Sequence, residues 1–364
     1  MSNTILFCAA AGFEAARQLN GPGEGLQGAR LHGHSFRAEV RAALSAGWGG
    51  FVGGEAEALQ QRLQEVVAPL DYAHLNNVIA NPTDGALAQW IEGALSMREL
   101  QRVHLWSGPA AGATWTVGQS MQAWRRYRFE SAHRLPHVSA GHQCGRMHGH
   151  GFEVMFSVDA GAGDALHRAW SPVHHQLHLA CLNDIKGLEN PTSEMLCQWI
   201  WQRLISDVPS LTAVTVFETA SCGSVFDGQR YRIWKDLSFD SATRLQQAPD
   251  AARRGVHGHT YTLRVGLSAP LHAVMGWTVD YGDVKTLFSP VFTQLDHHPL
   301  HEGASAGDMV SLLHWIHAQV ATRLPALDSL ELFDTPGTGA LMSGLILGSD
   351  PEKQKSGSDP KTRK

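Results

Sequence analysis

Two hydrophobic patterns alternate along the chain. Segments with an apolar residue at every second position, such as Phe36, Ala38 and Val40, predict strands that bury one face. Segments with apolar residues at helical spacing, such as Leu196 and Ile200, predict amphipathic helices. These elements follow the order two strands, two helices and two strands, which indicates an α+β fold built on a four-stranded antiparallel sheet.

The same order of elements occurs three times. The triplet His-Gly-His is found at 32–34, 148–150 and 257–259. Each copy also has a related start before the triplet and a matching tryptophan on a predicted helix after it. The starts begin at Phe13, Phe129 and Phe239, and the tryptophans are Trp90, Trp199 and Trp315. Such self-similarity predicts three tandem copies of one domain, and we expect the tryptophans to be core residues.

We expect the three copies to span residues 1–117, 118–235 and 236–348, with linkers near 113–121 and near Lys235. Residues 349–364 are charged and poor in apolar side chains, so a disordered tail is expected there. In the first two copies the second helix follows Asn-Pro-Thr, and a threonine in that place can cap a helix.

Composition describes an ordinary globular chain of 364 residues, 43% hydrophobic and 17% charged. A net charge of -5 gives no reason to expect binding to nucleic acid or to an anionic membrane. The five cysteines, an odd number, argue against a disulfide framework and fit a reducing cytoplasm. The apolar start, 4–11, is too short to span a bilayer and predicts a first strand.

The second copy contains a candidate metal site. His148 and His150 are two residues apart on a predicted strand, so both side chains point to one face. His133 ends the preceding strand-like segment and supplies a third nitrogen if the two strands pair. Three histidines with an open position are typical of catalytic zinc. Two alternatives remain: a solvated strand carrying His-x-His, and a closed structural site in which Cys144 is the fourth ligand. If it is not a ligand, Cys144 is a candidate base or nucleophile.

Three runs of the second copy resemble the 6-carboxy-5,6,7,8-tetrahydropterin synthases, which are related to the 6-pyruvoyl-tetrahydropterin synthases. The runs are FESAHRLPHVSAGHQCGRMHGHGFEV, LNDIKGLENPTSEMLCQWIW and VTVFETASCG. The resemblance implies the tunnelling fold, in which antiparallel sheets join edge to edge. Three linked copies are then expected to close a pseudo-trimeric barrel within one chain, and two chains to form a homodimer that resembles the family's hexamers.

The resemblance also implies an activity. A zinc-dependent carbon-carbon lyase would convert 7,8-dihydroneopterin triphosphate to 6-carboxy-5,6,7,8-tetrahydropterin, with release of acetaldehyde and triphosphate, in queuosine biosynthesis. The alternatives are the sister activity that yields 6-pyruvoyl-tetrahydropterin, and a pterin-binding protein without turnover. The basic residues that would hold the triphosphate stay open among Arg134, Arg146 and Arg244.

The resemblance distributes the site residues unequally among the copies. In the second copy, zinc ligands are implied at His133, His148 and His150, the catalytic cysteine at Cys144 and the pterin-binding acid at Glu218. The family's catalytic Asp-His pair is implied only in the third copy, at Asp296 and His297, because the second copy has His178 and Leu179 there. Other positions depart from the family pattern in the first and third copies: Arg17, Gly28, Ser107, Thr243, Arg253 and Asp334. We therefore expect one composite site per chain, between the second and third copies.

Overall fold

The computed structural model describes residues 3–19, 28–303 and 306–344. The predicted disordered tail, 349–364, lies outside the described residues. Within the described residues, the elements form three groups of the same order. The first group consists of β1 (Thr4–Arg17), β2 (His32–Ala42), α1 (Glu55–Val67), β3 (Ala73–His74), α2 (Asp84–Leu95), β4 (Leu100–Gly108) and β5 (Ala111–Thr116).

The second group repeats this plan, and the third, within its described residues, adds two short helices and lacks the short strand that follows the first long helix. The second group consists of β6 (Gln122–His133), β7 (His148–Asp159), α3 (Gly163–Leu177), β8 (Ala180–Cys181), α4 (Ser193–Leu204), β9 (Leu211–Thr219) and β10 (Cys222–Phe226). The third group consists of β11 (Tyr231–Thr243), α5 (Ala251–Arg254), β12 (His257–Ser268), α6 (Tyr281–Leu295), α7 (Leu300–Gly303), α8 (Met309–Val320), β13 (Leu327–Thr335) and β14 (Thr338–Ser343).

The long strands of the described chain close into one antiparallel barrel. Strands β5 and β6 join the first group to the second, and β10 and β11 join the second to the third. Closure comes from β14, which pairs with β1 from Thr4 opposite Ser343 to Cys8 opposite Gly339. The barrel therefore leaves no open edge among its long strands, which confirms the predicted pseudo-trimeric barrel.

The junction between the second and third groups differs from the sequence-based prediction. Lys235 lies inside β11, where it is opposite Cys222 of β10 and Val265 of β12, so the predicted linker near Lys235 is wrong. The two groups are instead joined by a short turn at 227–230. The sequence does carry a sign of this turn in Asp227-Gly228, a pair typical of hairpin turns, and Gly228 has a positive φ of 90°.

The barrel has an apolar face covered by helices and a polar inner face. Trp199 of α4 is 3% exposed and lies in the core, as predicted, whereas Trp90 and Trp315 are half-buried and pack against the core from its margin. The inner face is identified by Arg41 of β2 and Glu331 of β13, whose side chains lie 3.0 Å apart although their strands are not neighbours. Such a contact is made only across the interior. None of the described helices is long and apolar enough to span a bilayer.

The pairing of β14 with β1 leads to a prediction about the stability of the barrel. Met342 of β14 is fully buried and lies opposite Ile5 of β1 and Leu330 of β13. We expect Met342→Ala to lower the free energy of unfolding by about 2–4 kcal/mol, because the cavity weakens the barrel at its closure. Urea denaturation followed by circular dichroism measures the change. The partly exposed neighbour Ser343→Ala serves as the control, and equal midpoints for the two variants would contradict the prediction.

Candidate functional site

Three histidines converge where β6 ends and β7 begins. His133 lies directly opposite His148 in the antiparallel register, and His150 follows on the same face of β7. The ring centroid of His133 lies 4.6 Å from that of His148 and 5.1 Å from that of His150. Strand pairing therefore supplies the third nitrogen, as the sequence predicted.

The backbone fixes which ring nitrogens face inward. The Nδ1 atom of His133 lies 3.1 Å from the carbonyl of Pro191, and Nδ1 of His148 lies 2.7 Å from the carbonyl of Arg146. A carbonyl accepts a hydrogen, so each ring carries its hydrogen on Nδ1 and presents the lone pair of Nε2. The Nε2 atoms of His133 and His150 are buried and have no hydrogen-bond partner.

This donor set fits a zinc ion. The three histidines each offer a ligand atom, and these atoms lie within 4.8 Å of one another. Burial lowers the pKa of His133 to about 4, with His148 and His150 acting in the same direction and the Pro191 carbonyl opposing them. Burial also lowers the pKa of His150. Both rings are therefore neutral near pH 7, which is the state that binds a metal.

Cys144 lies on a turn beside the histidines. It belongs to a single 3-10 turn, Gln143–Gly145, which the His142 side chain caps by accepting a hydrogen bond from the backbone N–H of Cys144. The carbonyl of Cys144 accepts a hydrogen bond of 2.8 Å from the backbone of Leu135, which holds the turn against the end of β6. Burial raises the pKa of the Cys144 thiol, and the charges of Glu218 and Asp280 add to this effect. A dication bound nearby would act in the opposite direction.

These side chains line a cavity of about 850 Å³ that lies between the second and third groups. From the second group it receives His133, Cys144, His148, His150, Ser193, Glu194 and Glu218. From the third group it receives Lys235, Trp277, Val279, Asp280, Tyr281 and Gly282. The site is therefore built from both groups. The loop 275–282 and Lys235 were not identified from the sequence, because no residue type there signals a site.

Two acids line the cavity, Glu194 buried and Glu218 mostly buried. Glu218 is the next-to-last residue of β9, and one of its carboxylate oxygens lies 3.7 Å from Nε2 of His150. Burial raises its pKa to about 7, the carboxylate of Glu194 adds to the shift, and Lys235 opposes it. Glu194 accepts a hydrogen bond of 2.8 Å from the backbone of Thr278 in the third group. The sequence pattern predicts Glu194 only as an acid in the first turn of a helix, whereas its side chain also binds the second group to the third.

The third group does not bring its Asp-His pair to this cavity. Asp296 and His297 are absent from the residues that line it. Tyr281 enters the cavity at the start of α6, whereas Asp296 follows the last residue of that helix, about 22 Å away along its axis. The expectation that the pair reaches Cys144 within one chain is therefore wrong, because α6 holds its two ends apart.

The Asp-His pair is nevertheless formed and exposed. Nδ1 of His297 lies 3.1 Å from a carboxylate oxygen of Asp296, and the two side chains are 77% and 45% exposed. The second carboxylate oxygen of Asp296 accepts a hydrogen bond of 2.9 Å from the backbone of Asp240. His297 has a positive φ of 60°, a conformation that few residues other than glycine adopt. The fold thus presents the imidazole to the outside of the chain.

The other two groups have the same turn with different residues. Tyr72 and Leu179 also have positive φ, at 52° and 58°, and each donates a backbone hydrogen bond to the first strand of its group. His178 stands where the third group has Asp296, and its ring accepts a hydrogen bond from the backbone of Glu130. The three turns therefore correspond, and the second group has no carboxylate in this place.

The equivalent cavity between the first and second groups has a different interior. Arg17 stands where the second group has His133 and donates a hydrogen bond of 2.7 Å to Asp84. Ser107 stands where Glu218 does and donates a hydrogen bond of 3.0 Å to the other oxygen of Asp84. In the third group, Thr243 takes the place of His133 and donates to the carbonyl of Gly307. Of the described residues, only the second group's histidines form a cluster of three metal-binding side chains.

Comparison with known proteins agrees with this arrangement. The family model described as 6-pyruvoyl tetrahydropterin synthase matches residues 8–116, 122–229 and 232–344. The fold and the site thus define a tandem tetrahydropterin-synthase protein, and the chain belongs to the 6-pyruvoyl tetrahydropterin synthase family.

Individual relatives match a part of the chain that has about the length of one copy. The 6-carboxy-5,6,7,8-tetrahydropterin synthase of Synechocystis sp. is 33% identical over 125 residues, which is 29% of this chain and 93% of the relative. The enzyme of the same name from Haemophilus influenzae is 29% identical over 103 residues, 27% of this chain and 66% of the relative. The solved 6-pyruvoyl tetrahydropterin synthase of Caenorhabditis elegans is 18% identical with a TM-score of 0.26, covering 31% of this chain and 94% of that structure.

Proposed function

We propose that the protein is a zinc-dependent lyase that converts 7,8-dihydroneopterin triphosphate to 6-carboxy-5,6,7,8-tetrahydropterin, releasing acetaldehyde and triphosphate, as in the pathway to queuosine. The observation that carries this proposal is the convergence of three inward-facing Nε2 atoms, Cys144 and Glu218 on one cavity. The names of the curated relatives support the carboxy product over the pyruvoyl product.

Each residue of the site is assigned a role that suits its chemistry. Glu218 would bind the aminopyrimidinone edge of the pterin, because a carboxylate accepts two parallel N–H donors. When bound by His133, His148 and His150, zinc would supply Lewis acidity to the substrate's side-chain oxygens. Cys144 would then move protons at the carbon next to those oxygens. Of the three arginines considered for the triphosphate, Arg146 lines the cavity.

A second copy of the chain would supply the missing Asp-His pair. The pair lies on an exposed turn, so it can reach into a cavity of a neighbouring molecule although it cannot reach its own. Exposed apolar side chains surround the same end of the barrel: Leu31, Tyr72, Met147, Leu179 and Val256, at 54–87% exposure. Such a rim is suited to contact with another protein surface.

Twofold symmetry makes this pairing specific. In a symmetric dimer each contact occurs in both directions. If the second group of one chain faces the third group of its partner, the third group of the first chain faces the partner's second group. Two complete sites then form per dimer, and the first groups face each other. The loss of the acid from the second group and its retention in the third are both explained by this arrangement.

The activity is tested by incubating the purified, zinc-loaded protein with 7,8-dihydroneopterin triphosphate. We expect acetaldehyde and 6-carboxytetrahydropterin in equal amounts, measured by a coupled dehydrogenase assay and by mass spectrometry. A 6-pyruvoyl product without acetaldehyde would replace the carboxy assignment by the sister activity. Tight pterin binding with no product would show a binding protein without turnover and would overturn the proposal.

The role of Glu218 gives a separate prediction. We expect Glu218→Gln to weaken binding of 7,8-dihydroneopterin by about 10- to 100-fold, because the neutral amide offers only one acceptor to the two N–H donors. Zinc content should stay unchanged. Fluorescence titration measures the dissociation constant, and the exposed Asp207→Asn serves as the control. Unaltered affinity in Glu218→Gln would exclude Glu218 from the pterin subsite.

A further inference from the structure

His142 joins the cysteine turn to the third group. Its Nδ1 atom accepts a hydrogen bond of 3.2 Å from the backbone N–H of Cys144. Its Nε2 atom lies 3.5 Å from the Oδ2 atom of Asp280. Both side chains are mostly buried, at 28% and 19% exposure, and both line the cavity. The ring therefore bridges the backbone of the candidate catalytic residue and a carboxylate from another group.

The hydrogen bond to Cys144 settles the tautomer of His142. A nitrogen that accepts from an N–H carries no hydrogen of its own, so the neutral ring has its hydrogen on Nε2. That hydrogen faces the Asp280 carboxylate, which is an acceptor. If a hydrogen-bond donor replaced the Asp280 carboxylate, the hydrogen of the His142 ring would have to move from Nε2 to Nδ1. The Nδ1–H group would then face the N–H of Cys144, and the hydrogen bond between them would be lost.

Asp280 itself is held in place by two independent sets of contacts. Its Oδ1 atom caps α6 by accepting a hydrogen bond of 2.6 Å from the backbone of Gly282. The residues next to it are bound to the second group: Thr278 donates to Glu194, and Tyr281 donates a hydrogen bond of 2.9 Å to the carbonyl of Gly223. The carboxylate is therefore a fixed point against which His142 can be oriented.

The bridge between His142 and Asp280 lies at the cavity that also contains the Cys144 thiol. The helices that correspond to α6 in the other groups, α1 and α3, begin after Gly54 and Ala162, neither of which caps with a side chain. The third group has Ala251 six residues before its His-Gly-His triplet, where the second group has His142. Among the described residues, the acid and the imidazole therefore occur together only at the cavity that contains Cys144.

We propose that His142 and Asp280 are a positioning pair that sets the place of the Cys144 thiol, so that the third group orients the residue that the second group supplies. This inference rests on the proposed function for its kinetic consequence, but its geometric part does not require turnover. The pair acts through the backbone of Cys144 and does not itself contact the substrate's reacting atoms.

The decisive variant is Asp280→Asn. Asparagine keeps an oxygen to cap α6, so the fold is preserved, but it turns an amide donor toward Nε2 of His142. We expect kcat to fall about tenfold or more with KM and zinc content unchanged, because a displaced catalytic group slows chemistry without weakening binding. His142→Asn, which keeps an acceptor for the Cys144 N–H, should lose less than His142→Ala. Asp283→Asn in the same helical turn is exposed and serves as the matched control.

A second readout separates this inference from the proposed function. Alkylation of Cys144 by iodoacetamide, followed by peptide mass spectrometry, needs no substrate, and Cys181 provides a half-exposed reference thiol in the same sample. Because the thiol moves with its turn, Asp280→Asn should be alkylated at a rate that differs at least about threefold from that of Asp283→Asn, and His142→Ala, which keeps the Asp280 charge, should change the rate as well. If the wild type has no lyase activity, this rate alone decides. Equality of Asp280→Asn and Asp283→Asn in both readouts would overturn the inference.

Discussion

Cys144→Ala is expected to lower kcat by about three orders of magnitude while zinc content stays at the wild-type level. The thiol is the only group on the cysteine turn, Gln143–Gly145, that can exchange a proton, and general acid-base catalysis contributes about 10²- to 10⁴-fold. Alanine fits the turn, whose conformation depends on the His142 cap and on the Leu135 hydrogen bond rather than on the sulfur. The measurement is single-turnover release of acetaldehyde from 7,8-dihydroneopterin triphosphate.

The zinc content of this variant distinguishes a catalytic thiol from a metal ligand. If Cys144 were the fourth ligand of a closed structural site, its removal would weaken zinc binding together with activity. Cys181→Ala is the control, because Cys181 lies in the same group but does not line the cavity. Turnover by Cys144→Ala at the rate of this control would exclude the thiol from the chemistry.

His148→Ala is expected to remove zinc and to abolish measurable turnover. The two remaining histidines would leave a site with weak affinity, since catalytic zinc is held by three protein ligands. His148 is only partly buried and its Nδ1 atom bonds to the backbone of Arg146, so the fold should tolerate the change. Inductively coupled plasma mass spectrometry of the purified variant measures the metal directly.

The third group provides a matched control for the metal. His257 occupies the same strand position as His148 and has the same backbone contact, from Nδ1 to the carbonyl of Gly255 at 3.0 Å. It lacks the third histidine, because Thr243 is opposite it in the register. His257→Ala should therefore retain the zinc content of the wild type. Stoichiometric zinc in His148→Ala, or its loss from His257→Ala alone, would contradict the ligand assignment.

The barrel and the histidine cluster could be predicted from the sequence because both follow from local periodicity. Alternation along β7 places His148 and His150 on one face. Antiparallel pairing of β7 with the preceding strand, β6, brings in His133. Three copies of a sheet with two open edges leave those edges to be paired, and closure of β14 onto β1 satisfies them within one chain.

Which residues of the third group reach the cavity could not be predicted in the same way. Asp296 and His297 stand in the right place in the copy, but the sequence does not say that α6 separates them from Tyr281 by its whole length. His142 and Asp280 are far apart in sequence and unremarkable in type, so only the packing of loop 275–282 on α4 reveals their contact. Long-range contacts of this kind leave no periodic signal.

A subunit-mixing experiment tests most directly whether two chains share each site. Cys144→Ala and His297→Ala should each be nearly inactive alone. When they are mixed under conditions that exchange subunits, half of the dimers are mixed and each contains one intact site, so about a quarter of wild-type activity should return. A mixture that stays as inactive as its parts, although mass spectrometry shows that mixed dimers have formed, would contradict the shared site.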